Sequence, residues 1–485
     1  MKTEQRPGEV AGRGHHSVRW SGMAVVGRQA SQMICALVLA RLLGPDSYGV
    51  ISAASVYVTL TTLFLDQGLA PALVQRPTLD PRSPGAVATM NLLAGLVLAV
   101  ITFVCAPLIA GFFHVADLTG LLRVLAFGLL IKALAITPRA MQLRRLGFKV
   151  IGVGDIAGGV VGAVVGITAA LLGAGYWAMA WQVITTDVVI AVVLLAKTRG
   201  TRPNLHLGLL GPILPFSLRI FASNGLAFFS RNCDNILVGR YLGVTSLSYY
   251  SMAYRVLVIP VQMLGQTVNR VTFPTLARVA ADRQRVAAIL VKVTELLAMA
   301  AVPPMVLVAV AAPEMISVVL GDRWLPTAPI LSVLAIAGAR ETVMSTTQSL
   351  MRAMGRGKLI MRYEIVATSV QLTGIVVGLQ FGLLGVAVGL TTAGFLLTPV
   401  MLLIQRNLSA VRIRDQLRTM LPAVHGSLWA AAAYLLVRLI GWHDAWTLVL
   451  GIVSYLVVGL AVLWLAHRKA LRRTVVAAKG ILGVG

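Results

Sequence analysis

Asn224, Arg231 and Asn235 follow one another at intervals of seven and four residues in an otherwise apolar stretch. On a helix those intervals put all three on one face. The design recurs. Arg255, Gln262, Gln266 and Asn269 are spaced by seven, four and three; Ser21, Arg28 and Gln32 by seven and four; Arg340 and Thr347 by seven, with Glu341 and Gln348 beside them. A guanidinium in hydrocarbon is costly and survives only where it faces a bundle interior or water. The four stripes therefore predict a central polar cavity. Because arginines outnumber acids there, the cavity suits an anion, above all a phosphate or diphosphate held by bidentate hydrogen bonds. Its expected lining is Arg28, Gln32, Asn224, Arg231, Asn235, Arg255, Gln262, Gln266 and Arg340.

Each stripe also has a plain structural reading. Arg231 and Asp234 are three residues apart and could simply pair. Asn and Gln serve as hydrogen-bond glue between helices. Arg219 and Arg270 could anchor at headgroups. The acids within apolar stretches are Asp66, Asp187, Asp234 and Glu341. A buried carboxylate can carry a proton or bind Na⁺, which makes Asp234, Glu341 and Asp187 the candidates for H⁺ or Na⁺ coupling. No other cofactor is expected. The three cysteines have no metal-ligand spacing. There is no phosphate-binding G-x-x-x-x-G-K-[ST] loop, no H-E-x-x-H and no G-x-S-x-G. With no long non-membrane segment, the chain is not expected to be an enzyme.

The elements that must hold these residues are readable from charge and hydropathy. Of 485 residues 58% are hydrophobic and 12% charged, against about 25% charged in soluble proteins. Apolar stretches of about 20 residues span a bilayer. About fourteen are expected, from Val18–Leu42 to Trp446–Ala466. Every second connection is rich in Lys and Arg, so both termini are expected in the cytosol. The net charge of +25 is thereby a topology signal and a contact for anionic membrane lipids, with no nucleic acid implied. The fold class is all-α, a polytopic integral membrane protein.

Arg41-Leu-Leu-Gly44-Pro-Asp-Ser47 matches Arg240-Tyr-Leu-Gly243-Val-Thr-Ser246 at an offset of 199 residues, six spans later. An even offset makes a parallel repeat, with two lobes related about the membrane normal. The expected organisation is a cytosolic tail at 1–17, an N-lobe of six helices at 18–200, a cytosolic linker at 201–215 and a C-lobe of six helices at 216–410. Two extra helices at 411–467 and a basic cytosolic tail at 468–485 complete it. The cavity would lie between the lobes.

The stretches ARLLGPDSYGV (Ala40–Val50), LDQGLAPALVQR (Leu65–Arg76), PRAMQLRRLGFK (Pro138–Lys149), LLGAGYWAMAWQ (Leu171–Gln182) and RNCDNILVGRYLG (Arg231–Gly243), with GDRWLPTAPILSVLAIAG and RAMGRGK within Gly321–Lys358, carry a family likeness. Through them the chain resembles the Wzx-type polysaccharide flippases, the WzxC-like branch of the multidrug/oligosaccharidyl-lipid/polysaccharide export superfamily. The likeness runs from the first span into the eleventh; the last two spans add only hydropathy. It implies alternating access and export of an undecaprenyl-diphosphate-linked oligosaccharide across the bacterial plasma membrane for polysaccharide synthesis, alongside the polymerase machinery. Family positions would map to Arg231, Asp234 and Asn235, whereas Arg28 is less typical. Other readings are a multidrug/cation antiporter, a lipid II flippase and a non-transporting scaffold. The arginine excess argues against the antiporter.

Overall fold

The computed structural model describes residues 7–65, 73–74, 79–198, 200–206, 208, 225, 228–229 and 232–482, with backbone alone at 7–31, 258–271, 475 and 477–482. Every regular element among them is helical. Apolar stretches of this length must satisfy their own amides when no water is at hand, and the helix does so within one segment.

Helix α1 (Pro7–Leu65) has 59 residues. Straight, it would be about 90 Å long, three times the roughly 30 Å hydrocarbon core. It is broken at Gly44, at φ 73° and ψ 174°, followed by Pro45. Only glycine takes that backbone cheaply, and proline cannot supply the next helical amide. Gly243, 199 residues on, is also left-handed, at φ 84°. The repeated motif is thus a repeated helix break. The two breaks touch: Thr245 Oγ1 donates to Asp46 Oδ1 at 2.8 Å, again across 199 positions. A Cβ on Gly49 would collide with the Val244 carbonyl.

The later helices are α2 (Ser83–Phe113), α3 (Asp117–Arg144), α4 (Phe148–Leu171), α5 (Trp177–Lys197), α6 (Val244–Arg278), α7 (Arg283–Leu320), α8 (Thr327–Ala353), α9 (Gly357–Leu379), α10 (Gly382–Leu408), α11 (Ile413–Arg438), α12 (Asp444–Ala466) and α13 (Arg468–Leu482). Among the described residues, eleven helices are long and apolar enough to cross a membrane: α1 to α5 and α7 to α12. They carry twelve of the expected spans, since α1 holds two. The expected seventh span falls largely on residues outside those described. The eighth coincides with α6, which is not among the eleven.

The chain divides into two compact units, 1–248 and 249–485. In the first, α4 packs along α5, α2 along α3, and α1 against α4. A helical segment at 232–241 docks on the α2–α3 turn, with Arg240 2.7 Å from the His114 ring and 5.4 Å from the centre of Phe112.

In the second unit α7 is the common support for α8, α11 and α12. Tyr455 on α12 donates to the Pro303 carbonyl of α7 at 2.7 Å. Glu314 of α7, 4% exposed, receives Arg438 at 2.9 Å and the Tyr434 hydroxyl at 3.3 Å, both from α11. The two added spans are therefore fastened to α7. Helices α9 and α10 cross on glycine: a Cβ on Gly374 would lie 2.6 Å from the Gly389 carbonyl, and Gly378 and Gly385 block each other likewise. Such small-residue faces let helices meet backbone to backbone in lipid. The basic tail is itself helical. In α13, Ala470 is buried and Arg473 reaches Glu295 of α7 at 3.1 Å.

Candidate functional site

In the first unit Lys132 and Asp187 pair across two helices. Lys132 lies past the middle of α3 and Asp187 at the middle of α5. Lys132 Nζ is 3.6 Å from Asp187 Oδ2 and 3.5 Å from Thr62 Oγ1, which comes from the second arm of α1. Their side chains are 23% and 13% exposed. Gly128, one turn before Lys132, lies next to the pair: a Cβ there would make ordinary contact with Asp187 Oδ2, at 3.9 Å. Three helices thus converge on one ion pair. Taking either charge out of water alone would be very unfavourable, and the pair makes the placement tolerable. A second pair, Arg139 with Asp155 at 2.6 Å, ties α3 to α4.

In the second unit the Arg340 stripe faces inward. Arg340 Nε donates to Thr398 Oγ1 at 2.7 Å and its Nη2 lies 3.7 Å from Met401 Sδ, both on α10. One stripe position on, buried Thr347 accepts from Gln405 Nε2 at 2.6 Å. The neighbouring stripe takes another face: Glu341 is exposed, and Gln348 donates to Glu364 of α9 at 3.0 Å. Adjacent stripes of one helix therefore serve two different neighbours.

Arg255, about eleven residues into α6, is exposed, as is Gln32. Asp234 is buried, and its Oδ1 accepts from the Asn235 backbone amide at 2.8 Å and side-chain amide at 3.3 Å. Asn224 and Arg231 lie outside the described residues, as do the side chains of Arg28, Gln262 and Gln266. Of the described candidates, Asp187 lies inside the first unit and Arg340 inside the second, while Arg255 and Glu341 are on exposed faces. No group of three His, Cys, Asp or Glu suited to a metal exists among the described residues.

Lys132, Asp155, Glu295 and Glu314 are intramembrane charges that repeating stripes do not single out. Their signal was present, since Lys132, Asp155 and Glu314 are each a lone charge in an apolar run and Glu295 has only Lys292 beside it. Each finds its partner on a different helix, which no spacing within one helix reports.

The family model for "Polysaccharide biosynthesis protein" matches residues 38–329, more than half of the chain. The chain belongs to that family. Its curated relatives include the teichuronic acid biosynthesis protein TuaB of Bacillus subtilis (strain 168), 29% identical over 323 residues, covering 62% of this chain and 63% of that one. The lipopolysaccharide biosynthesis protein WzxC of Escherichia coli (strain K12) is 25% identical over 390 residues, covering 79% and 77%. Among solved structures, the lipid II flippase MurJ in an inward closed conformation superposes with a TM-score of 0.74 at 14% identity, covering 93% of this chain and 99% of that one. That likeness establishes a polytopic all-helical membrane fold for this family member.

Proposed function

We propose that this family member is a flippase. It would carry a polyprenyl-diphosphate-linked oligosaccharide from the cytosolic to the outer leaflet of the bacterial plasma membrane, by alternating access and without catalysing a covalent step. The observation that carries the reading is Arg255. It is exposed about eleven residues into α6, a helix of spanning length, and within a span an ionised side chain is tolerated only against water or protein. An exposed arginine on α6 therefore marks a wet passage able to receive an anion. The relatives' names add the substrate class: one acts in teichuronic acid and one in lipopolysaccharide biosynthesis.

In this reading Arg231 and Arg255 meet the diphosphate, and Asn235, Gln262 and Gln266 meet sugars. These groups replace the water that the headgroup would otherwise lose at large cost. Arg340, already bonded to Thr398, steadies the cavity wall. Coupling to H⁺ or Na⁺ runs through Asp187, whose partner Lys132 would be released when the carboxylate is neutralised. Both termini lie in the cytosol, where the basic connections remain.

The test is complementation of a strain lacking the gene, with membrane levels measured in parallel. Arg231→Ala and Arg255→Ala should reduce polysaccharide export at least tenfold at unchanged protein level. Normal export by well-expressed Arg231→Glu would remove Arg231 from the site.

A further inference from the structure

The second unit has a cavity of about 290 Å³ at its basic end, lined by Ala280, Ala281, Arg283, Ala353, Met354, Arg356 and Leu408. It sits where the α6–α7 connection, the α8–α9 turn and the end of α10 converge. We propose that it is a binding site for a phosphoryl group, supplied by the phosphodiester of an anionic bilayer lipid, whose headgroup brings no cation beside the two arginines. Nothing in the flippase reading requires it, and it stands whatever the cargo is.

Charge is the first argument. Arg283 and Arg356 enter from two different connections. Among the described residues no carboxylate lies within ion-pair distance of either. The nearby acid in sequence, Asp282, is already engaged. It caps α7 by accepting from the Gln284 and Arg285 amides at 3.0 and 3.1 Å, and it pairs with the Arg285 guanidinium at 3.1 Å. Two guanidinium forks facing one cavity without a counter-ion match a phosphate better than a carboxylate, because the phosphate offers oxygens to both.

Backbone is the second argument. Helix α9 begins at this cavity with no side-chain cap, in contrast to α7. The positive end of the helix dipole there favours an anion beside the two arginines. Gly355, at φ 64°, makes the tight turn that brings Arg356 back beside Met354.

Shape is the third, and it favours the lipid over a free ion. Part of the wall is apolar, made of Met354, Leu408 and three alanines, within a lining that is otherwise mostly polar. Beneath it lies the buried cluster of Leu276, Val286, Leu290, Leu350 and Val411. Inorganic phosphate has no use for that wall, whereas the glyceryl and first acyl carbons of a lipid do. The cavity lies at the ends of spanning helices, where a headgroup sits.

The experiment is native mass spectrometry of the full-length protein titrated with phosphatidylglycerol against phosphatidylcholine, with and without millimolar inorganic phosphate. The variants are R283A/R356A and, as a control of equal charge loss on exposed residues outside the cavity, R412A/R414A. Wild type should retain one phosphatidylglycerol in preference to phosphatidylcholine. R283A/R356A should weaken that binding about tenfold or more, and R412A/R414A should leave it unchanged. Phosphate should not displace the lipid; if it does, and binds wild type but not R283A/R356A, the site stands and its ligand is free phosphate. Equal binding by wild type and R283A/R356A, or equal loss in both double variants, would overturn the site. Because both arginines are exposed, R283A/R356A should fold, and an unchanged unfolding temperature checks this.

Discussion

At the scale of single residues, membrane burial sorts charges by whether another helix answers them. Asp187 was legible in the sequence as a lone acid inside an apolar span. Its meaning was not, because Lys132 and Thr62 come from helices remote in sequence. The pair makes a specific prediction. Asp187→Asn leaves Lys132 buried without its counter-charge, which costs about 3–5 kcal/mol, so membrane yield and unfolding temperature should both drop. Lys132→Gln with Asp187→Asn removes both charges and should restore stability. Export by that double variant then separates roles. Stable protein without export is the outcome expected of a coupling residue, whereas normal export would make the pair purely structural.

At the scale of elements, hydropathy placed the helices well because spanning segments leave few alternatives to helix. The 199-residue repeat was visible, but not that its two glycines, Gly44 and Gly243, take positive φ where one span gives way to the next. The docking of α11 and α12 on α7 was not visible, since Glu314, Tyr434, Arg438 and Tyr455 pair across more than a hundred residues. Nor was the helical tail, which charge alone marked as a solvated end.

The joint between α11, α12 and α13 should respond to pH. The Trp429 indole N–H donates to His425 Nε2 at 3.1 Å. His425 therefore carries its proton on Nδ1 and gives it to His467 Nε2, also at 3.1 Å. Burial first, and then the neighbouring His425, lowers the His467 pKa below the ordinary 6.5. A histidine held neutral in this way stabilises the joint above the unpaired value. That contribution is lost as pH falls below about 6.5 toward the lowered value, because the undocked ring takes up its proton first. Spin labels at positions 424 and 476 should give one narrow distance at pH 8 and a broader distribution at pH 5. His467→Phe should abolish the change; identical distributions at both pH values in wild type would contradict it.

At the scale of the whole molecule, composition and alternating charge were enough for a polytopic all-α membrane protein, and the family match and the MurJ-like fold agree. The candidate cavity was less legible. Polar stripes report which residues share a helix face, but not which neighbour that face meets: the Arg340 stripe turns to α10, while Arg255 is exposed. Of these two arginines, Arg255 is the more accessible to a substrate.

The central claim is that this protein moves a lipid-linked glycan across the membrane. The most direct measurement is extraction of polyprenyl-diphosphate lipids from cells depleted of the protein, with leaflet accessibility scored by an impermeant glycan-binding probe. The account predicts that an oligosaccharide-loaded species accumulates on the cytosolic leaflet and is cleared by wild type but not by Arg231→Ala. Unchanged lipid pools on both leaflets, with altered drug sensitivity instead, would contradict it.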